Sequence, residues 1–345
     1  MSYTRILVRA ANWVGDAVMS LPALHALRAR HPRARLSVLA VPWVQELYAR
    51  EPFADEILPY TAPRGARDIG AKLAAASDLR RRNFDCAVLL PNSFDSALVV
   101  WLARIPERIG YSRDGRGLLL THKIHPPAKG AIPPHESYYY LELLRRAGWI
   151  EALPEKIVIQ LAGAAEAAER GRDRLERQGL YGHVIGVSPG AAYGTAKRWP
   201  PERFAAAAAR VAARQDASVA LFGSKEERAL CEQVSEMLEG NVRRARNLAG
   251  QTSLGEFIEM AAACGAFLTN DSGAMHIAAA LGVPTVAVFG ATDHEATGPA
   301  GPLARVVRQP VECSPCLLRE CPIDHRCMTR VTAEEVAETA FELLK

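Results

Sequence analysis

The sequence predicts an α/β protein made of two doubly wound parallel-sheet domains, and three observations predict it. Short β-rich apolar runs alternate with helical stretches through both halves of the chain. Runs such as Cys86 to Leu90 and Val283 to Phe289 are apolar throughout, as are strands covered by helices on both faces. The length of 345 residues suits two domains of about 150 to 170 residues each. The pattern loosens around Glu151 to Gln160, which sets the junction and divides the chain into 1–155 and 156–330, with a terminal segment 331–345.

In the first half, Arg5 to Arg9 is a strand. Asp16 to Arg30 carries Ala17, Val18, Leu21, Leu24 and Leu27 at helical spacing. Leu36 to Val41 is the next strand, Pro42 to Arg50 a short helix with Pro near its start, and Asp55 to Leu58 a strand. A helix through Ile69, Leu73 and Leu79 leads to the strand Cys86 to Leu90; Ser93 to Leu102 is helical and Arg108 to Tyr111 extended. Four prolines make His125 to Pro134 a loop, and Ser137 to Ala147 is helical.

In the second half, Val184 to Ser188 is a strand and Pro201 opens an Ala-rich helix ending near Arg214. Ser218 to Phe222 is a strand, Lys225 to Leu238 a helix, and Ser253-Leu-Gly-Glu256 a capping box opening a helix to Cys264. Ala266 to Thr269 is a strand, Gly273 to Leu281 a helix, and Val283 to Phe289 a strand. The capping box Thr332-Ala-Glu-Glu335 opens the last helix.

The net charge of +4 is mild, and no helix or stripe concentrates the cations, which argues against a nucleic-acid partner. No apolar run reaches the roughly 18 to 20 residues that span a bilayer, and the N-terminus reads as a first strand without a signal peptide; a cytoplasmic location is the expectation. Cys86, Cys231 and Cys264 sit in apolar elements as small hydrophobes. The cluster Cys313, Cys316, Cys321 and Cys327, with His325 inside it, has zinc-like density. Structural zinc, locally packed thiols and labile bridges all fit, and the cluster is expected to lie apart from the chemistry.

Ligands of doubly wound sheets bind beyond the carboxyl ends of the strands, so a cleft between two facing domains is the expected site. Four strand-to-helix loops carry polar residues. In Ala11 to Asp16, Asp16 reads either as a helix-dipole partner or as a carboxylate able to take a proton. In Pro189 to Pro200, two glycines, Thr195 and Lys197 suit a phosphate, or a solvated basic turn. Glu226, after Phe222-Gly223, suits ribose hydroxyls or simply the acidic start of a helix. In Thr269 to His276, Ser272 and Gly273 offer helix N-terminal donors, Asp271 a cap or ligand, and His276 either a core or a site side chain. No dinucleotide fingerprint or nucleophile elbow stands at a strand-to-helix turn, which counts against an NAD enzyme and a Ser hydrolase.

These loops, in this order, resemble the ADP-heptose:lipopolysaccharide heptosyltransferases, a family of GT-B fold with two Rossmann-like domains. The resemblance rests on Trp13-Val14-Gly15-Asp16-Ala17-Val18-Met19-Ser20, Leu90-Pro91-Asn92-Ser93-Phe94, Ala196-Lys197-Arg198-Trp199-Pro200, Leu221-Phe222-Gly223-Ser224, Arg246-Asn247-Leu248-Ala249-Gly250 and Asn270-Asp271-Ser272-Gly273. It covers nearly the whole chain and is to the type II enzymes, which the Trp13-Val14 pair favours over type I enzymes acting on Kdo. The resemblance implies ADP-L-glycero-β-D-manno-heptose as donor and the heptose on Kdo-lipid A as acceptor. It also implies inverting transfer, an N-terminal acceptor domain, a C-terminal donor domain, and a last helix that returns to the N-terminal domain. By the same resemblance Asp16 is the base and Lys197 the phosphate-binding lysine. Thr195, Asp271, Ser272, Gly273 and His276 bind the donor, with Glu226 and Thr252 in the ribose and adenine region. The lipid-linked acceptor implies peripheral attachment at the cytoplasmic face of the inner membrane. No D-x-D pair follows a strand to hold Mg²⁺, so no metal is expected, and the resemblance implies no cofactor beyond the ADP-heptose donor. Arg113, Arg116 and Lys123, with Arg64 and Arg67, are candidate contacts for acidic groups of the acceptor. A nucleotide-sugar epimerase on the same fold and a non-catalytic nucleotide-sugar binder are the competing readings.

Overall fold

The computed structural model describes residues 3–61 and 68–345, which leaves Arg64 and Arg67 outside the described residues. The chain divides into two compact units, Met1–Ile157 and Val158–Lys345.

The first unit runs β1 (Arg5–Arg9), α1 (Val14–Met19), α2 (Leu21–Arg30), β2 (Arg35–Ala40), α3 (Pro42–Tyr48), β3 (Glu56–Pro59), α4 (Ile69–Arg81), β4 (Cys86–Leu89), α5 (Phe94–Leu102), β5 (Glu107–Tyr111), β6 (His122–Ile124) and α6 (Glu136–Arg146). Its six strands are ordered β3-β2-β1-β4-β5-β6, every pair parallel. Strand order reverses between β1 and β4, where Arg9 pairs with Leu89. All four residues of β4 are buried, as its unbroken apolar run requires.

The expected helix Asp16 to Arg30 is two helices. Pro22 lacks the N–H that would continue the ladder, and the break falls at Ser20, whose hydroxyl donates to the Ala17 carbonyl at 2.8 Å. The short edge strand β6, three residues long with only Ile124 buried, is too polar to read as a strand.

The second unit runs α7 (Ala164–Arg177), β7 (Val184–Ser188), α8 (Pro201–Gln215), β8 (Ser218–Leu221), α9 (Arg228–Leu238), β9 (Ala245–Asn247), α10 (Leu254–Ala262), β10 (Ala266–Asn270), α11 (Gly273–Ala280), β11 (Thr285–Phe289), α12 (His294–Thr297), β12 (Ala304–Arg308), α13 (Arg326–Thr329) and α14 (Ala333–Leu343). The order β12-β11-β10-β7-β8-β9, again all parallel, repeats the first sheet's winding, with the reversal between β7 and β10. Every residue of β7, β8, β10 and β11 is buried. A fully buried Val or Leu contributes roughly 1.5 to 3 kcal/mol, so these strands carry much of the unit's stability.

The last helix groups with the second unit. Helix α14 begins at its capping box and buries Val336, Ala337 and Ala340 in one core with Phe204 and Val211 of α8 and Val286 and Val288 of β11. Its apolar face is matched inside the second unit, and the chain ends there as part of that unit.

Candidate active site

In the first unit the loop after β1 turns at Trp13, which is the N-cap of α1 and makes no side-chain cap bond. Asp16 follows in the first helical turn, half-buried, so it is not the cap residue, although its charge favours the helix N-terminus. The loop after β4 lies beside it, because β1 and β4 are paired. Arg116 holds that second loop: wholly buried, it donates to the carbonyls of Tyr111 (2.8 Å) and Pro91 and to the Ser96 hydroxyl (2.9 Å). The two loops and the start of α6 enclose a cavity of about 400 Å³ whose polar lining includes Asn12, Asp16, Asn92, Ser93, Glu136 and Tyr139.

Asp16 and Glu136 thus face one cavity at the reversal of strand order, with Asp95, which is paired with Lys72, also in its lining. Burial, and then the charge of Asp16, push the Glu136 carboxyl up to about 7. Arg113 lowers it in part, and the same arginine hydrogen-bonds Tyr139 at the cavity's edge. Tyr140 is buried against the pair, and desolvation followed by the two carboxylates holds its phenol protonated far above the usual range. Glu136 was missed in sequence, where it stands as one acidic residue between a proline-rich loop and a helix. No motif marks it; only the folded neighbourhood does.

In the second unit the corresponding reversal brings the loops after β7 and β10 together. Asn270, wholly buried, joins them: its amide donates to the Pro189 carbonyl at 2.7 Å and its oxygen accepts the Trp199 N–H at 3.0 Å. Between these anchors a short 3₁₀ turn, Thr195–Lys197, presents an exposed Thr195 and a half-buried Lys197. Lys197 Nζ donates to Asp271 Oδ2 at 2.6 Å, and the Thr292 hydroxyl donates to the same buried oxygen. The pair compensates the buried Asp271 and fixes Nζ at the strand ends. Ser272 caps α11 through its backbone without a side-chain cap bond, so the helix's first amides face the loop rather than the serine. His276 is buried one turn further on.

The remaining expected positions are spread more widely. Glu226 is exposed in the turn after β8; its carboxyl is lowered by its own backbone amide and then by Ser224. A reciprocal capping box joins Ser224 and Glu227 there. Thr252 lines a separate cavity of about 200 Å³ with Arg174, Arg177 and Glu256, and no residue of the Lys197 turn lines it. Arg116 is corrected from acceptor contact to buried brace. Arg113 is exposed beside the first cavity, and Lys123 is exposed on β6. The thiol-rich segment is bonded directly to the Lys197 turn through its main chain, where Ala196 N–H donates to the Arg319 carbonyl at 3.0 Å. Its four sulfurs are free thiols, and among the described residues no group of three or more His, Cys, Asp or Glu side chains is arranged to hold a metal ion.

Two doubly wound sheets of the same winding, each with polar strand-end loops at its reversal, are the paired Rossmann-like halves of the GT-B fold. The chain belongs to glycosyltransferase family 9 (heptosyltransferase), which residues 73–326 match. It is 35% identical over 310 residues to lipopolysaccharide heptosyltransferase 2 of Escherichia coli (strain K12), covering 88% of each chain. It is 32% identical to lipooligosaccharide heptosyltransferase 2 of Haemophilus influenzae, covering 98% of this chain and 99% of that one. The solved structure of E. coli ADP-heptose LPS heptosyltransferase II superposes with a TM-score of 0.83 at 33% identity, over 99% of this chain and 98% of that one.

Proposed function

We propose that this glycosyltransferase moves L-glycero-D-manno-heptose from ADP-heptose to the first heptose of the lipopolysaccharide inner core, with inversion and without a metal. The observation that carries the reading is the half-buried Asp16 carboxylate in a cavity at the first sheet's reversal, where doubly wound sheets bind their ligands. The type 2 relatives support the acceptor: a type 1 relative from Pseudomonas aeruginosa is only 25% identical.

In this reading the first unit holds the acceptor. Asp16 takes the proton of the attacking hydroxyl as the new bond forms at the anomeric carbon, a contribution of about 10²- to 10⁴-fold. The bond from that carbon to the diphosphate breaks on the opposite face, so the centre inverts. The second unit holds the donor. Lys197, Thr195 and the N-terminal amides at Ser272 and Gly273 stabilise the charge that builds on the departing phosphate. Asp271 fixes Lys197, His276 supports the first turn of α11, and Glu226 and Thr252 lie toward the nucleoside. No described helix is long and apolar enough to cross a membrane, and a lipid-linked acceptor places the enzyme peripherally at the inner membrane's cytoplasmic face.

The test is to incubate purified protein with ADP-heptose and acceptors bearing zero or one heptose, and to weigh the products. One added heptose on the one-heptose acceptor alone is expected, with an α linkage by NMR. Product on the zero-heptose acceptor, or conversion of ADP-heptose without any acceptor, overturns the reading.

A further inference from the structure

The segment from Val311 to Val331 carries the four clustered cysteines and supplies none of the residues assigned to the reaction above. Its path is set by hydrogen bonds to two strand-end loops of the second sheet. On one side, Ser314 Oγ donates to the Gly290 carbonyl at 2.6 Å and Leu317 N–H to the Ala291 carbonyl at 2.8 Å, just beyond β11. On the other side it grips the Lys197 turn three times. Tyr193 OH donates to the Leu317 carbonyl at 2.8 Å, Ala196 N–H to the Arg319 carbonyl at 3.0 Å, and His325 Nε2 lies 2.9 Å from the Ala196 carbonyl, to which its N–H tautomer donates. The approach is close enough to require Gly194: a Cβ there would stand 2.2 Å from the Arg319 carbonyl oxygen.

This strap leaves the Arg319 side chain exposed beside the Lys197 turn. The Arg319 guanidinium lies 5.4 Å from the centroid of the Tyr193 ring, and Lys197 Nζ lies 4.9 Å from the same centroid. Two cations from segments more than a hundred residues apart therefore converge on one ring at the end of β7. Lys197 is already paired with Asp271, so the net charge of that pair is zero. A doubly anionic diphosphate needs more positive charge than the pair supplies.

We propose that Arg319 is a second diphosphate-binding cation of the donor site, delivered by the thiol-rich strap. The strap's main chain sets the distance between Arg319 and Lys197, and the guanidinium supplies the planar donors suited to phosphate oxygens. Within the strap Cys327 is buried, and its thiol is pushed up to about 11 by burial and then by Cys313, Cys316 and Cys321. The inference rests on the donor-site reading given under Proposed function.

The test separates charge from scaffold, because the brace uses the Arg319 carbonyl, which every substitution retains. ADP and AMP binding are measured by calorimetry on the full chain for wild type, Arg319→Ala, Arg319→Lys and Lys197→Ala. Arg319→Ala is expected to weaken ADP about 10- to 100-fold, the range for a lost charge-assisted bond, and AMP by less than about threefold. Arg319→Lys is expected to recover most of the ADP affinity, with an unchanged melting temperature in both variants. Wild-type ADP affinity in Arg319→Ala, beside a loss in Lys197→Ala, overturns the proposal alone. An equal loss of ADP and AMP overturns it as well, since the phosphates would not be what Arg319 reads. Wild-type affinity in both variants overturns the donor-site reading together with it.

Discussion

Glu136→Gln turns the carboxyl pair of the first cavity into a measurement. In the folded protein this carboxyl titrates at about 7, against 4.5 for an unperturbed glutamate. Between those values folding takes up a proton, so this group's contribution to stability falls as pH rises from about 4.5 to 7 and is constant above. The difference corresponds to roughly 3 kcal/mol at most. Gln is neutral throughout and keeps the shape of the protonated acid. The variant should therefore gain on wild type by up to about 3 kcal/mol between pH 4.5 and pH 8, whatever the other groups do, since they are common to both proteins. Urea denaturation at both pH values reads the gain. Asp16 is the second cause of the raised value, so the gain should shrink when the comparison is repeated in an Asp16→Asn background. A stability difference between Glu136→Gln and wild type that is the same at both pH values refutes the reasoning.

Asp16→Asn should keep the fold and ADP binding while lowering kcat by about two to four orders of magnitude, since Asn can sit in a helix's first turn but cannot accept the proton; transfer at near wild-type rate would make Asp16 structural. Lys197→Ala should destabilise by about 3 to 5 kcal/mol because it strands the buried Asp271, and Lys197→Ala with Asp271→Asn should recover much of that stability without recovering turnover. Chemical denaturation and initial rates on the same preparations check both halves of this expectation. Prolonged EDTA treatment should leave transfer intact; a loss restored by Mg²⁺ or Mn²⁺ would sink the metal-free mechanism.

Where the chain obeys a simple period, the sequence reveals the element. The buried strands and the two capping boxes at Ser253 and Thr332 are local signals, and the folded chain shows them at those positions. Helix α7 signals itself weakly, because its buried face is only Ala167, Gly171 and Leu175. It is highly charged and holds Gly171 in its middle, which costs a helix about 1 kcal/mol. Its reason is tertiary: a Cβ at residue 171 would stand 1.9 Å from the Glu259 carbonyl, so glycine permits the close crossing of α10. Arg170 and Arg174 then bond Glu259 across it at 2.7 and 2.6 Å. The site was legible in the same uneven way. Asp16, Lys197 and Asp271 stand in loops that follow strands, a local pattern. The pairing of Lys197 with Asp271, the facing of Asp16 by Glu136, and the burial of Arg116 depend on which strands are neighbours, and winding order is not written in any one loop.

The side chain of Asn270 has a consequence for how fast and how tightly a ligand can be held. A loop of a dozen residues such as Pro189 to Pro200 would ordinarily wander, and each residue frozen by an arriving ligand costs about 1 to 2 kcal/mol of backbone entropy. Here one buried amide fastens both ends of that loop, at Pro189 and Trp199, before any ligand arrives. Its freedom is surrendered when the protein folds. Less of the backbone remains for a ligand to order, so affinity at this end of the second sheet should be governed more by contacts and less by loop closure.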